Sequence, residues 1–250
     1  MKKSSKEISM VAMSIGSITH KGLVRKFNED RLLVERFDDG AVLAAVADGM
    51  GEGKGGALAA ETVVQSLRSF DPDGREIEDQ LTHAIRTAHQ HIISMAKEHA
   101  ELSKMGTTVT AMFLREGIIH WAHTGDSRAY LFRDGHLIQI TDDHSITGFL
   151  LRQQEITADE AIDHPLRNVL LRCVGCGPLQ VDTGDLEAAD GDLVLLTTDG
   201  LHDHVTMDKM VSVLGAPAFL DVKLESLAEA ALKAGGKDNI TAVAVEMSFR

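Results

Sequence analysis

The chain has 250 residues, 44% of them hydrophobic, and carries a formal net charge of −13. This length can bury a substantial core, and the composition is typical of globular rather than disordered chains. The excess negative charge argues against nucleic acid or an anionic membrane surface as a partner, since both attract basic proteins. No apolar run is long enough to span a membrane, and the basic first ten residues lack a clear cleavage site. We therefore expect a cytoplasmic protein.

Nine segments have the apolar alternation or the short apolar runs that are typical of β-strands. These predicted strands cover residues 11–18, 31–37, 41–47, 107–114, 118–123, 129–132, 137–140, 193–198 and 240–246. Segments ending in Gly separate several neighbours by two to four residues, which is typical of β-hairpins. The sequence therefore predicts antiparallel sheets.

Helical periodicity predicts three longer helices and three shorter ones. The longer helices cover residues 57–69, 77–100 and 220–234, and the shorter ones cover 145–153, 157–161 and 207–214. Thr157 and Glu160 have the spacing of a capping box. The order of elements does not alternate strand and helix, so two packed sheets flanked by helices are favoured. No linker or repeat interrupts the chain, which predicts a single domain over residues 1–250.

Two predicted strands end in the same dipeptide, Asp48-Gly49 and Asp199-Gly200. An aspartate at the mouth of an apolar strand is costly unless its charge is matched. A divalent cation would match it, and the glycine would let a backbone carbonyl approach as a further oxygen ligand. The alternative is an ordinary turn, as we predict for residues 38–40, 134–135 and 190–191. For these two aspartates alone, the two interpretations are equally supported.

Further carboxylates lie at strand ends rather than on helix faces. Glu29 and Asp30 precede a predicted strand, Asp126 links two strands, and Asp238 opens the last one. Carboxylate oxygens that converge with water favour magnesium or manganese over zinc, which prefers His and Cys ligands. The spacing therefore favours an oxygen-rich metal site.

Seven motifs carry a resemblance to a known family. In chain order they are RKFNED (25–30), ADGMG (47–51), GTT (106–108), TGDSRA (124–129), TDDHS (141–145), TDGL (198–201) and KDNIT (237–241). Together they resemble the metal-dependent protein phosphatases, the type 2C serine/threonine family, and most closely its short bacterial members. The resemblance spans residues 17 to 245. It implies an α+β fold, a four-layer α-β-β-α sandwich of two central antiparallel sheets flanked by helices.

The same resemblance implies two Mn²⁺ or Mg²⁺ ions at one edge of the sheets. By motif, Asp48 would bridge the two ions, and the Gly49 carbonyl would complete the shell of one. Asp199 and Asp238 would complete the shell of the other. Arg25 would grip the substrate phosphate, a task that suits the planar fork of a guanidinium.

Outer positions are implied in the same way. Glu29, Asp30 and Asn239 would hold metal-bound waters, and Asp126 would help bind a third, weaker ion. A metal-bridging hydroxide would attack the phosphomonoester in line and release inorganic phosphate without a covalent phosphoenzyme. Phosphorylated serine and threonine proteins are the expected partners, including a cognate protein kinase.

Two positions bear on the proton donor and on substrate access. Met50 stands where many eukaryotic members have a histidine that can protonate the leaving group. His202 is a possible substitute, but a histidine in an exposed loop, like His204, is the favoured interpretation. Residues from about 145 to 172 resemble the family's flap, which shapes substrate access.

Three other interpretations remain open. Residues 51–56 match G-x-G-x-x-G, but a second helix rather than a parallel strand follows, which disfavours a dinucleotide-dependent oxidoreductase. A non-catalytic phosphoprotein-binding module on the same fold is disfavoured because no presumed metal ligand is missing. The pair Cys173 and Cys176 could be a redox or zinc site, but two small thiols of no special function are favoured.

Overall fold

A computed structural model describes residues 11–51, 54–73 and 76–249. Its strands are β1 (Val11–His20), β2 (Arg31–Arg36), β3 (Val42–Ala47), β4 (Gly49–Met50), β5 (Gly106–Thr107), β6 (Val109–Arg115), β7 (Ile118–Thr124), β8 (Arg128–Arg133), β9 (His136–Gln139), β10 (Asp182–Glu187), β11 (Leu193–Thr197) and β12 (Ile240–Phe249). Its helices are α1 (Gly55–Leu67), α2 (Ile77–Glu98), α3 (Ile146–Arg152), α4 (Ala158–Ile162), α5 (Asp199–His202), α6 (Met207–Leu214) and α7 (Leu220–Lys233).

The longer strands form two five-stranded antiparallel sheets. One has the order β1-β12-β11-β8-β9, and the other has the order β10-β7-β6-β3-β2. The inner faces of both sheets contribute to one buried apolar cluster, which includes Val46, Met112, Leu196 and Val243. The sheets therefore pack face to face, as the sequence predicts.

Helices cover the outer face of each sheet. Val63 of α1 and Ile85 of α2 pack in a cluster with Leu33 and Phe113 of the β2–β3–β6 side. Met210 of α6 and Leu227 of α7 pack with residues of β11 and β12 in a second cluster. The layers therefore run α-β-β-α, which confirms the predicted fold class.

The hairpin turns also agree with the sequence. Glu116-Gly117 and Asp134-Gly135 each have two consecutive positive φ angles, 52° and 79° in the first turn and 52° and 78° in the second. Such turns match the right-handed twist of the strands that they join. Because glycine adopts positive φ without steric cost, its place in each turn follows from the backbone geometry.

The main differences from the prediction concern three elements. The predicted strand 107–114 is interrupted at Thr108, whose hydroxyl and amide both bond to the backbone of Asp48. The edge strand β10 was missed because Asp182–Glu187 contains only one large apolar residue. Helix α5 is a four-residue turn, too short for a periodic signal.

No helix in the described part of the chain is both long and apolar enough to cross a membrane.

Candidate active site

The aspartates predicted from strand ends meet at one edge of the two sheets. Asp48 directly follows β3, Asp199 begins α5 two residues after the end of β11, and Asp238 lies two residues before β12. Burial raises the pKa of the Asp48 carboxyl well above its ordinary value, and the charges of Asp199, Asp30 and nearby carboxylates raise it further. The fold therefore concentrates negative charge at this edge.

Two other members of this carboxylate cluster are similarly perturbed. Burial raises the pKa of Asp30 to about 7, against an opposing hydrogen bond from the Thr198 hydroxyl. Burial also raises the pKa of Asp126 to about 7, with a further contribution from the charge of Asp143. Ionising either carboxyl therefore costs free energy in the folded chain, and a bound cation would offset that cost.

Several carboxylate oxygens in the cluster have no hydrogen-bond partner. Buried oxygens of Glu29, Asp30 and Asp199 are unpaired in the structure. Leaving a buried acceptor unsatisfied costs about 1–3 kcal/mol, and more for a charged group. Hard divalent cations take oxygen ligands of this kind, so the residues present fit the implied magnesium or manganese.

The glycines that follow the two aspartates are required by close packing. A side chain on Gly49 would lie 2.1 Å from the Gly56 carbonyl oxygen, and one on Gly200 would lie 1.9 Å from the Asn239 carbonyl oxygen. Both distances are below any real contact of a β-carbon with backbone. The Asp-Gly dipeptides here are therefore positions of close backbone approach, whereas Gly40, Gly135 and Gly191 lie in open turns at positive φ.

The backbone of Asp48 is held by two threonines of the neighbouring segment. The Asp48 amide donates to the Thr108 hydroxyl at 2.9 Å, and the Thr108 amide donates to the Asp48 carbonyl at 2.9 Å. The Thr107 hydroxyl donates to the same carbonyl at 2.8 Å. These bonds hold the GTT segment against the ADG segment in this chain.

Arg25 and Asn239 lie on the other side of the cluster. Arg25 Nη2 donates to Asp238 Oδ2 at 2.6 Å, and its side chain is 51% exposed. The Asn239 side chain accepts the Glu29 amide and donates to the carbonyls of Lys21 and Phe27. Asn239 therefore fixes the loop that carries Arg25, in addition to its predicted role near metal-bound water.

A cavity of about 480 Å³ lies beside Asp126 and Asp199, under the flap residues of α3 and α4. Its lining includes Arg128, Asp143 and Asp203, to which sequence reasoning gave no role. Arg128 makes a two-pronged ion pair with Asp143 at 2.8 and 2.7 Å. The motif positions of Arg128 and Asp143 were visible in the sequence, but their pairing depends on tertiary contact.

Two sequence interpretations are corrected by the structure. His202 does not lie in an exposed loop: it is 8% exposed, belongs to α5 and hydrogen-bonds to the Thr197 hydroxyl. Burial lowers its pKa well below the ordinary value, which disfavours it as a proton donor. The cysteines are not two separate thiols, since Cys173 and Cys176 form a disulfide.

In the described residues, no three His, Cys, Asp or Glu side chains are grouped so that they could by themselves hold a metal ion. The carboxylates interact through their charges across the edge instead of forming a closed ligand cage. A cation there would take part of its coordination from water or backbone carbonyls, which is typical of magnesium sites.

Comparison with known proteins agrees with this geometry. The family model of protein phosphatase 2C matches residues 20–234. A serine/threonine phosphatase of Listeria monocytogenes is 35% identical over 235 residues, covering 91% of this chain and 93% of that protein. The crystal structure of the Mycobacterium tuberculosis serine/threonine phosphatase PstP superposes with a TM-score of 0.88 at 33% identity, covering 96% of this chain and 100% of that one.

A second structure, the catalytic domain of PstP in complex with two manganese ions, has a TM-score of 0.86 at 32% identity. It covers 96% of this chain and 100% of that one. The chain therefore belongs to the protein phosphatase 2C family. The prediction of a bacterial-type serine/threonine protein phosphatase is confirmed, and the dinucleotide-dependent alternative is wrong.

Proposed function

We propose that this phosphatase hydrolyses phosphoserine and phosphothreonine in proteins with water as the nucleophile and two divalent cations as cofactors. The observation that carries the proposal is the carboxylate cluster at the sheet edge, whose buried oxygens lack partners and whose pKa values are raised. Support also comes from the two manganese ions in the similar PstP structure.

The residues that would hold the cations follow from the cluster. Asp48 and the Gly49 carbonyl would bind one ion. Asp48, Asp199 and Asp238 would bind the other with water completing its shell, because no three of the described side chains are grouped to hold a metal ion by themselves. When bound, the ions would lower the pKa of a shared water and neutralise phosphoryl oxygens. Glu29, Asp30 and Asn239 would order the surrounding water, because Glu29 and Asp30 each have an unpaired buried oxygen.

Arg25 would orient the substrate phosphate. Its guanidinium is half exposed, and its pKa is raised by Asp238, Asp199 and Asp48 although partial burial opposes the shift. A charged, accessible guanidinium beside the cluster can donate two hydrogen bonds to a phosphate. We expect Arg25→Lys to raise KM, because an ammonium cannot reproduce the planar fork.

Asp126 would contribute to a third, weaker cation site. It lies in the loop between β7 and β8, lines the cavity with Asp199 and Asp203, and contributes to the raised pKa of Asp199. The substrates would be phosphorylated serine and threonine proteins, among them a cognate kinase. The flap that covers the cavity would contact the segment around the phosphorylated residue.

The first experiment is hydrolysis of para-nitrophenyl phosphate and of a phosphothreonine peptide with EDTA, Mg²⁺ or Mn²⁺. We expect release of inorganic phosphate from both substrates with Mn²⁺ and none with EDTA. Asp48→Asn is the matched variant that should abolish turnover under every metal. A folded wild-type sample that hydrolyses neither substrate would move the protein to the phosphoprotein-binding class.

A further inference from the structure

Cys173 and Cys176 close a short loop that lies against β5, where Val174 pairs with Thr107. The two cysteines are joined by a disulfide, with their α-carbons 5.3 Å apart. Cys173 is buried, whereas Cys176 is exposed. Cys176 is therefore the residue of the pair that a thiol in solution would approach, and Cys173 lies in the core.

The loop between the cysteines is anchored on both sides. Val174 exchanges two backbone hydrogen bonds with Thr107, at 2.9 and 2.8 Å. The Gly175 amide donates to His89 Nδ1 of α2 at 3.0 Å. His89 is buried, with only 8% of its surface exposed. Movement of the loop would therefore disturb its hydrogen bonds to Thr107 and His89.

Thr107 connects the cysteine loop to the active-site residue Asp48. Its hydroxyl donates to the Asp48 carbonyl, and its backbone pairs with Gly49 in the small β4–β5 sheet. A continuous set of backbone and hydroxyl bonds thus joins the disulfide loop, Thr107 and Asp48. The cysteine loop supports the backbone of the residue that would bridge the two cations.

Close packing at Gly106 limits where two separated thiols can lie. A β-carbon at this position would be 2.7 Å from Cys176 Sγ and 3.2 Å from Cys173 Sγ, so both sulfurs press against the strand. Two unbonded sulfur atoms need more room than a bonded pair. Because Cys173 is enclosed, Cys176 is the side that would move outward and loosen the Val174–Thr107 pairing.

We propose that Cys173 and Cys176 are a redox-active pair, whose disulfide holds Thr107 and Asp48 in the arrangement that binds metal. Its effect on metal affinity rests on the proposed function, whereas its effect on the backbone does not. The co-reactant is a dithiol reductant. Its thiolate attacks Cys176 Sγ, the S–S bond breaks, and the electron pair leaves on Cys173 Sγ, which takes up a proton.

The second thiol of the reductant then completes the exchange. It attacks the mixed disulfide, forms the intramolecular disulfide of the reductant and releases Cys176 as a thiol. Two electrons and two protons pass from the reductant to the protein. Oxidation by a disulfide reverses the sequence and restores the closed loop.

The test compares oxidised and dithiothreitol-treated protein without metal or substrate. Alkylation with iodoacetamide in denaturant, which exposes the buried Cys173, should add two labels only after reduction. Hydrogen–deuterium exchange of the amides of Thr107, Thr108 and Val174 should become several-fold faster on reduction, while α7 is unchanged. The Mn²⁺ concentration for half-maximal phosphatase activity should rise about tenfold, the size of effect seen when a residue that supports a metal ligand is altered.

Two variants separate the disulfide from general effects of the reductant. Cys173→Ser/Cys176→Ser should show the fast exchange in both conditions and no response to dithiothreitol. Because Cys173 is buried, Cys176→Ser alone is the second variant: it keeps the core thiol and should match the reduced wild type. Two free thiols in fully oxidised protein, or equal exchange in both redox states, would overturn the proposal.

The outcomes also distinguish this proposal from the proposed function. Faster exchange on reduction in a chain without metal-dependent activity would uphold the redox pair and reject the metal mechanism. Metal-dependent activity with the same Mn²⁺ dependence and the same exchange in both redox states would reject the redox pair alone.

Discussion

Asp48 and Asp199 occupy positions where ionisation opposes folding of the metal-free chain. Burial and neighbouring carboxylates raise the pKa of each well above its ordinary value. Removing one charge should therefore relieve repulsion while it removes a proposed metal ligand. Catalysis and stability should respond in opposite directions to the same substitution.

We predict that Asp199→Asn abolishes phosphatase activity but raises the melting temperature in EDTA. The expected rise is roughly 2–4 °C, which corresponds to about 1 kcal/mol for a chain of this size. Calorimetry of wild type and variant at pH 8 in EDTA measures the shift. A lower melting temperature of the variant in EDTA would show that the carboxylate is satisfied by the protein itself.

His123 is a second residue whose charge state is linked to stability. It is fully buried between the Thr110 hydroxyl and the Asp142 carbonyl. Burial lowers its pKa to about 4, helped by the charge of His144, although Asp143 and Asp182 act in the opposite direction. The unfolded chain binds this proton near pH 6.5, so stability from His123 is present above that pH.

We predict that His123 lowers the free energy of unfolding by about 1.4 kcal/mol per pH unit as pH falls from 6.5 towards 4. Urea unfolding in EDTA at pH 7.5 and pH 5 should show a smaller difference between His123→Gln and wild type at the lower pH. Exposed His83→Gln is the control for the loss of an imidazole from the protein surface. A difference for His123→Gln that is constant with pH would contradict the prediction.

At the scale of elements, the segment before α3 is tied to β8 by the Arg128–Asp143 pair. Both partners are largely buried, with side chains 23% and 13% exposed. Removing one partner of a buried pair leaves an uncompensated charge, whereas an exposed pair contributes little. This pair also lines the cavity under the flap, so its loss should affect both stability and substrate access.

We predict that Asp143→Ala lowers the free energy of unfolding by about 3 kcal/mol. The exposed pair of Lys233 and Glu229 on α7 offers a matched control, and Glu229→Ala should cost only about 0.3–0.5 kcal/mol. Urea denaturation of both variants measures the difference. Similar costs for the two substitutions would mean that water screens the Arg128 guanidinium in the native chain.

For the whole molecule, the metal-free and metal-bound chains should differ in stability, because the carboxylate cluster joins both sheets at one edge. We predict that Mn²⁺ at 100 times its Kd stabilises the fold by about 2.7 kcal/mol, a rise of roughly 5–10 °C in melting temperature. Thermal scans with increasing Mn²⁺ measure the shift, and EDTA should reverse it. Asp48→Asn should lose most of the shift, and an equal shift in that variant would place the ions elsewhere.

The sequence alone determined the class of fold and predicted the main residues of the candidate site. The boundaries of α6 were predicted to the residue, and most strand boundaries within two residues, because apolar periodicity records which face of an element is buried. The order of the motifs identified the strand-end aspartates, because each Asp-Gly dipeptide can be recognised in the local sequence directly after a predicted strand. Their metal roles and the single-domain assignment stay predictions.

Tertiary structure alone decided several other features. The edge strand β10, the Arg128–Asp143 pair, the burial of His202 and the cysteine disulfide all depend on partners distant in sequence or on local backbone geometry. The requirement for Gly49 and Gly200 likewise comes from carbonyl groups of other segments, Gly56 and Asn239. Periodicity reports the environment of a residue but not its contacts, and these features are determined by contacts.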